Sequence, residues 1–92
     1  MTTQTSAVTT AFTNITSAFS LSDATNYIFQ NIGNEDIVLV SKSGDAPANT
    51  VIGLVLYKGQ TMRLPNTTAN PLYARTPLDS SVIAASEDIS YS

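Results

Sequence analysis

Any chemistry in this chain would have to be done with a narrow set of side chains. The sequence contains no His and no Cys, so the commonest general base, the commonest metal ligands and every thiolate nucleophile are missing. Seven carboxylates remain, at Asp23, Glu35, Asp36, Asp45, Asp79, Glu87 and Asp88, with an abundance of Ser, Thr and Asn. A glycosidase needs two carboxylates facing across a cleft, and a calcium site needs several oxygens converging at a spacing that is absent here. These acids fall in turns and in the tail, where Asp and Asn ordinarily cap backbone amides and face water. A hydroxyl nucleophile would need Lys42, Lys58 or the N-terminal amine for activation. No Ser-x-x-Lys motif occurs, and Lys42 sits in the loop segment Ser41-Lys42-Ser43. Neither a Gly-rich phosphate loop nor a dinucleotide fingerprint is present. The expectation is a protein that is not an enzyme, with no catalytic, cofactor-binding or metal residue and no cofactor.

Binding chemistry is the next class to weigh. Tyr57, Tyr73 and Tyr91, with Asn66, Asn70 and Asp79 near them in sequence, are the candidates for a carbohydrate site. The competing reading has Tyr57 and Tyr73 packed at strand ends with their hydroxyls at the rim, and that reading is preferred. The four bases, Lys42, Lys58, Arg63 and Arg75, form no run. Nucleic-acid affinity comes mainly from clustered Lys and Arg, so no nucleic-acid partner is expected. No apolar run is long enough to span a bilayer, so no membrane partner is expected either. The opening MTTQTSAVTT lacks the basic and apolar regions of a secretory signal, which points to synthesis in a cytoplasm.

The elements that would carry these residues are short and β-like. Val, Ile, Thr, Tyr and Phe dominate the patterned stretches, and they suit a pleated surface better than a helix. The longest apolar run is Val51 to Tyr57. With the Lys58-Gly59 turn and the return through Leu64 it reads as a central hairpin, VIGLVLYKGQTMRL. Both faces of its first strand are apolar, which predicts a central strand or one face buried on a neighbouring subunit. Gly53 inside that strand suggests a bulge or a close backbone approach.

Further strands are expected at 27–32, 37–40, 72–76 and 82–86, with 27–32 and 37–40 joined as a hairpin. Residues 8–21 are ambiguous. Val8, Phe12, Ile15 and Phe19 lie at helical spacing, whereas the many Thr, Ser and Asn residues between them are weak helix formers. A strand around 12–17 is preferred and a helix is the alternative. Residues 1–11 are polar and read as an N-terminal arm that orders on a neighbouring subunit, leaving 12–92 as a single β-domain.

Short strands at near-regular spacing make an all-β fold, a small antiparallel β-sandwich or barrel (jelly-roll-like) with an extended N-terminal arm. A chain of 92 residues buries only about 60–65% of its unfolded surface. Without disulfides, association is the expected extra source of stability, as a homotrimer in the first place or a dimer. Only 12% of residues are charged, which fits a surface that meets other protein.

The order of elements resembles a known family. An arm leads to Phe19-Ser20-Leu21-Ser22, then Asn26-Tyr27-Ile28-Phe29-Gln30-Asn31-Ile32-Gly33, a Val-rich strand, an Ala46-Pro47 loop and a strand ending in Lys58-Gly59-Gln60. Leu72-Tyr73-Ala74-Arg75 and the closing Val82-Ile83-Ala84-Ala85-Ser86-Glu87 complete it. Over residues 19–88 this pattern is similar to small all-β virion structural proteins of tailed bacteriophages, of the head-decoration (cement) or fibre-associated type. The resemblance implies a capsid decoration protein, made in the bacterial host cytoplasm and placed on the capsid exterior of the virion. It would bind the major capsid protein of the assembled head and stabilise it by mass action, with the arm as the capsid-facing part. The alternatives it leaves are a fibre or tail-associated module that binds a receptor or glycan, and a head–tail or tail component.

Overall fold

A computed structural model describes residues 4–48, 53–67 and 69–87. The chain forms strands β1 (Gln4–Val8), β2 (Thr13–Asn14), β3 (Thr25–Asn31), β4 (Ile37–Ser41), β5 (Leu54–Leu56), β6 (Thr61–Asn66), β7 (Leu72–Arg75) and β8 (Ser81–Glu87), with one short helix, α1 (Ile15–Ala18). The strands make two four-stranded sheets, ordered β1-β8-β3-β6 and β2-β7-β4-β5. Every pairing is antiparallel. The pairs nest: β1 with β8, β2 with β7, β3 with β6 and β4 with β5. The chain is thus one long antiparallel ribbon whose tip is β4–β5, rolled so that β3 also meets β8 and β4 also meets β7. This is the order of an eight-stranded jelly roll, an open sandwich and not a closed barrel.

Alternation along the strands decides which side chains fill it. In β3 the residues Tyr27, Phe29 and Asn31 are buried while Gln30 is exposed, and in β4 Ile37 and Leu39 are buried. Tyr27, Phe29, Ile37 and Leu39 meet Val8, Leu56, Leu72, Ala74, Ile83 and Ala85 in a single core. Burying such a side chain stabilises by about 1.5–3 kcal/mol. Along one side Ile15, Phe19 and Leu21, from α1 and the turn after it, complete that core.

The segment 8–21 combines both readings made from its sequence. The strand expected over 12–17 stops at Asn14, whose side chain caps α1 by accepting from the Ser17 amide at 3.0 Å. The helical spacing of Ile15 and Phe19 is real but lasts one turn. Ser20 adopts a left-handed φ of 53°, and the Ser20 and Leu21 amides bond back to the carbonyls of Ser17 and Thr16. That is a Schellman ending, with Ser in the place where Gly is usual.

Three expectations need correction. The stretch 51–64 is not a hairpin, because β5 pairs with β4 in one sheet and β6 pairs with β3 in the other; residues 51–52 lie outside the described residues. Likewise 27–32 and 37–40 do not form a hairpin, since β3 and β4 belong to different sheets. Local turn chemistry marks where a chain reverses. It does not say which sheet receives the next strand. The expected central strand is therefore an edge strand, with Leu54 on its core-facing side yet 53% exposed at the rim. Gly53 does make a close approach, because a Cβ there would fall on the Leu39 carbonyl oxygen and 2.6 Å from Val40 Cγ2. Third, residues 4–8 of the expected arm form β1 along β8 of the same chain, and Val8 is fully buried in the core.

Candidate interaction surfaces

Jelly-roll winding sends the connections to two opposite ends. One end carries the β1–β2, β3–β4, β5–β6 and β7–β8 loops, and the other carries β2–β3, β4–β5 and β6–β7. A buried asparagine ties each end together. At the first end Asn31 donates from Nδ2 to the carbonyls of Glu35 (2.7 Å) and Leu56 (2.9 Å), and its Oδ1 accepts from the Gly33 amide (3.1 Å). The Ser81 hydroxyl lies 2.9 Å from Asn31 Oδ1 and 2.8 Å from the Glu35 carbonyl. One fully buried side chain thus ties together three crossings between the sheets. Gly33 is required there, because a Cβ would collide with Ser81 and the Val82 amide.

At the other end Thr16 donates to Asn66 Oδ1 at 2.6 Å and accepts from the Leu72 amide at 2.9 Å, while Asn66 Nδ2 donates to the Ser22 carbonyl at 2.8 Å. The β4–β5 loop joins this end through Ser41 Oγ to the Asn70 carbonyl and the Lys42 amide to the Pro71 carbonyl. Among the described residues no buried side-chain nitrogen or oxygen lacks a partner. Both knots are therefore fully satisfied, the condition under which a buried polar network rigidifies a fold.

The candidate chemistry residues are dispersed by this plan. Asp36 accepts from the Lys58 amide at 3.2 Å, the Glu35 and Asp45 carbonyls accept from Asn31 and the Lys42 ammonium, and Asp79 sits in the β7–β8 loop at φ 60°. Glu35, Asp36 and Asp79 lie at the Asn31 end, with Asp23 and Asp45 at the Asn66 end. Asp88 and Tyr91 lie outside the described residues. Among the described residues no three His, Cys, Asp or Glu side chains are grouped to hold a metal ion. The imagined carbohydrate set also separates. Asn66 is a buried structural residue, Tyr73 is buried with its hydroxyl donating to the Gly44 carbonyl at 2.7 Å, and the exposed Tyr57 and Asp79 lie at the opposite end from the exposed Asn70.

Apolar side chains on the surface are the more telling feature. Among the described residues four large ones are exposed: Ile32 (51%), Leu54 (53%), Tyr57 (58%) and Leu78 (66%). Ile32, Tyr57 and Leu78 lie in the β3–β4, β5–β6 and β7–β8 loops, all at the Asn31 end. Two of the loops that carry them are held to neighbouring strands, since the Gly59 amide bonds the Asn31 carbonyl at 2.8 Å and the Ile32 amide bonds the Val82 carbonyl at 2.9 Å. Among the described residues, then, this end presents apolar groups on a fixed frame. Sequence reasoning missed the grouping because the three residues are separated by more than twenty positions and only the topology unites them.

The outer face of the sheet β2-β7-β4-β5 is a second apolar surface. Pairing of Val38 with Val55 and Arg75, and of Val40 with Tyr73, puts these five on the side away from the core. Val38, Val40 and Val55 are half-buried. Phe12 and Tyr73 are buried yet belong to no part of the central core. The Arg75 guanidinium lies over the Phe12 ring at 5.8 Å and donates to the Thr10 carbonyl at 2.9 Å, a cation–π contact covering the ring. No helix of the described residues is long and apolar enough to cross a membrane. Compared with protein-family models, with curated proteins and with solved structures, the chain matches none.

Proposed function

We propose that this chain is a non-enzymatic virion structural protein, a capsid decoration (cement) protein that binds the outside of an assembled phage head and stabilises it. The observation that carries the reading is the grouping of Ile32, Tyr57 and Leu78 at one end of the jelly roll. Apolar side chains exposed at one end of the fold support a protein-binding surface there, since docking would take them out of water, and pre-ordered loops lower the entropic cost of docking. The capsid-facing role first assigned to the N-terminal arm passes to this end, because β1 is occupied in the domain's own sheet. The partner is the major capsid protein, whose assembled form is stabilised by any ligand that binds it alone.

Changing Ile32, Tyr57 and Leu78 together to Ser tests this. The three are exposed, so the domain should stay folded, while binding to purified heads should fall at least tenfold and the added heat resistance of decorated heads should disappear. Undiminished binding by the folded triple variant would remove this end from the interface.

One observation favours a second reading, a fibre- or tail-associated module for receptor or glycan. Tyr57 is an exposed aromatic ring at a loop end with Asp79 at the same end, the kind of platform on which a sugar can stack. A module of that kind would be scarce in the particle, and its loss would stop adsorption without lowering head stability.

A further inference from the structure

The three loops that expose Ile32, Tyr57 and Leu78 converge on two buried polar side chains, Asn31 and Ser81. The Asn31 side chain takes the β3–β4 loop at the Gly33 amide and the Glu35 carbonyl, and the end of β5 at the Leu56 carbonyl. Its backbone takes the β5–β6 loop, donating to the Gln60 carbonyl at 3.1 Å and accepting from the Gly59 amide at 2.8 Å. Tyr57 follows Leu56 directly, and its carbonyl accepts from the Gln60 amide in the same turn. The β7–β8 loop enters through Ser81, the first residue of β8, whose hydroxyl reaches both Asn31 Oδ1 and the Glu35 carbonyl. Leu78 lies in that loop, its carbonyl accepting from the buried Thr76 hydroxyl at 3.3 Å.

We propose that Ser81 is a positioning residue of this surface, its hydroxyl coupling the β7–β8 loop to the other two so that all three open and close as one unit. The hydroxyl is not needed to satisfy the groups it touches. Without it Asn31 Oδ1 keeps the Gly33 amide, and the Glu35 carbonyl keeps Asn31 Nδ2. What it supplies is a link between loops, and the bend it fills has no slack, because a Cβ on Gly33 would fall on Ser81 Oγ. The hydroxyl at the opposite end has the other role. Thr16 Oγ1 is the acceptor for the Leu72 amide, which its removal would strand. The two buried hydroxyls therefore separate coupling from satisfaction. Loops that are already ordered lose less freedom on docking, so releasing one of the three raises the cost of docking the whole end. The binding arm of the test below rests on reading this end as the head-binding surface; the exchange arm does not.

Ser81→Ala and Thr16→Ala each remove one buried hydroxyl, from opposite ends of the fold. Thr16→Ala should lower the urea midpoint more, since a buried amide loses its acceptor, and should bind purified phage heads as the wild type does. Ser81→Ala should lower the midpoint less yet bind heads at least tenfold more weakly. A purely structural role would make binding follow stability, whereas coupling sets the two orders opposite. Amide exchange is the second readout. Ser81→Ala should speed exchange at least tenfold at Gly59, which bonds Asn31 and not Ser81, and leave the Leu21 amide at the other end unchanged. Binding losses that follow the order of stability, or a Gly59 amide that keeps its wild-type rate in Ser81→Ala, overturn the coupling. A wild-type chain that leaves heads unbound overturns the virion reading instead, and exchange at Gly59 then decides the coupling by itself.

Discussion

Asn31 is the residue on which most of the connectivity depends. It ends β3, it is fully buried, and its amide satisfies backbone groups of Gly33, Glu35 and Leu56. Removing it strands buried donors and acceptors, each costing about 1–3 kcal/mol. Asn31→Ala should therefore lower stability by about 3 kcal/mol or more, read as a fall in the urea midpoint at unchanged slope. Asn70→Ala is the comparison, because Asn70 uses only its carbonyl and its side chain is exposed; it should change stability by less than about 0.5 kcal/mol. The sequence put Asn31 on one face of a strand with Tyr27 and Phe29, but with Ile28 and Ile32 on the other face it did not say which of the two is the inner one. It could not announce the three-loop knot, since its partners are backbone groups with no side-chain signature. Asn66 was hidden for a related reason. An Asn between prolines and threonines reads as a solvated turn until Thr16, fifty residues earlier, is brought to it.

At the scale of elements, strand positions were readable and strand partners were not. Alternation in β3 and β4 and the apolar runs of β7 and β8 located those strands within about two residues. The turn at Lys58-Gly59 was also readable, with the Gln60 amide closing on the Tyr57 carbonyl at 2.8 Å. What the local pattern lacked was the sheet assignment, which depends on long-range nesting of the two halves of the chain. Of the strands adjacent in sequence, only β4 and β5 pair with each other. The same nesting explains why β5 looked central. Its two apolar faces are real, but the inner one meets the core at Leu56 and the outer one, at Val55, continues the half-buried Val38 row. Leu56→Asp puts a carboxylate into the core and should unfold the domain, a loss of about 4 kcal/mol or more. Val55→Asp should leave a cooperatively folded chain by circular dichroism and thermal melting. If Val55→Asp unfolds as completely as Leu56→Asp, the outer face is part of the folding core and not a surface. The expected arm shows the same limit. Thr and Ser at 4–8 look solvated in sequence, yet β8 supplies the partner that orders them.

For the molecule as a whole, the physical picture is a jelly roll with extents of 36 × 29 × 18 Å, a satisfied polar knot at each end and few charges. Composition lacks His and Cys, two of the commonest catalytic side chains. It could not locate a binding surface, because exposure of Ile32, Tyr57 and Leu78 at one end is a product of topology alone. The fold is shared by many functions and selects none of them. Abundance in the particle separates the readings. A cement protein covers a shell at a fixed ratio to its subunits, whereas a receptor-binding module or a tail component is present in few copies. The most direct measurement is the stoichiometry of this chain against the major capsid protein on a gel of purified virions. The account predicts a ratio near a simple fraction of the shell subunits, hundreds of copies in each particle. A chain found at a few copies per particle, or missing from the particle altogether, would contradict it.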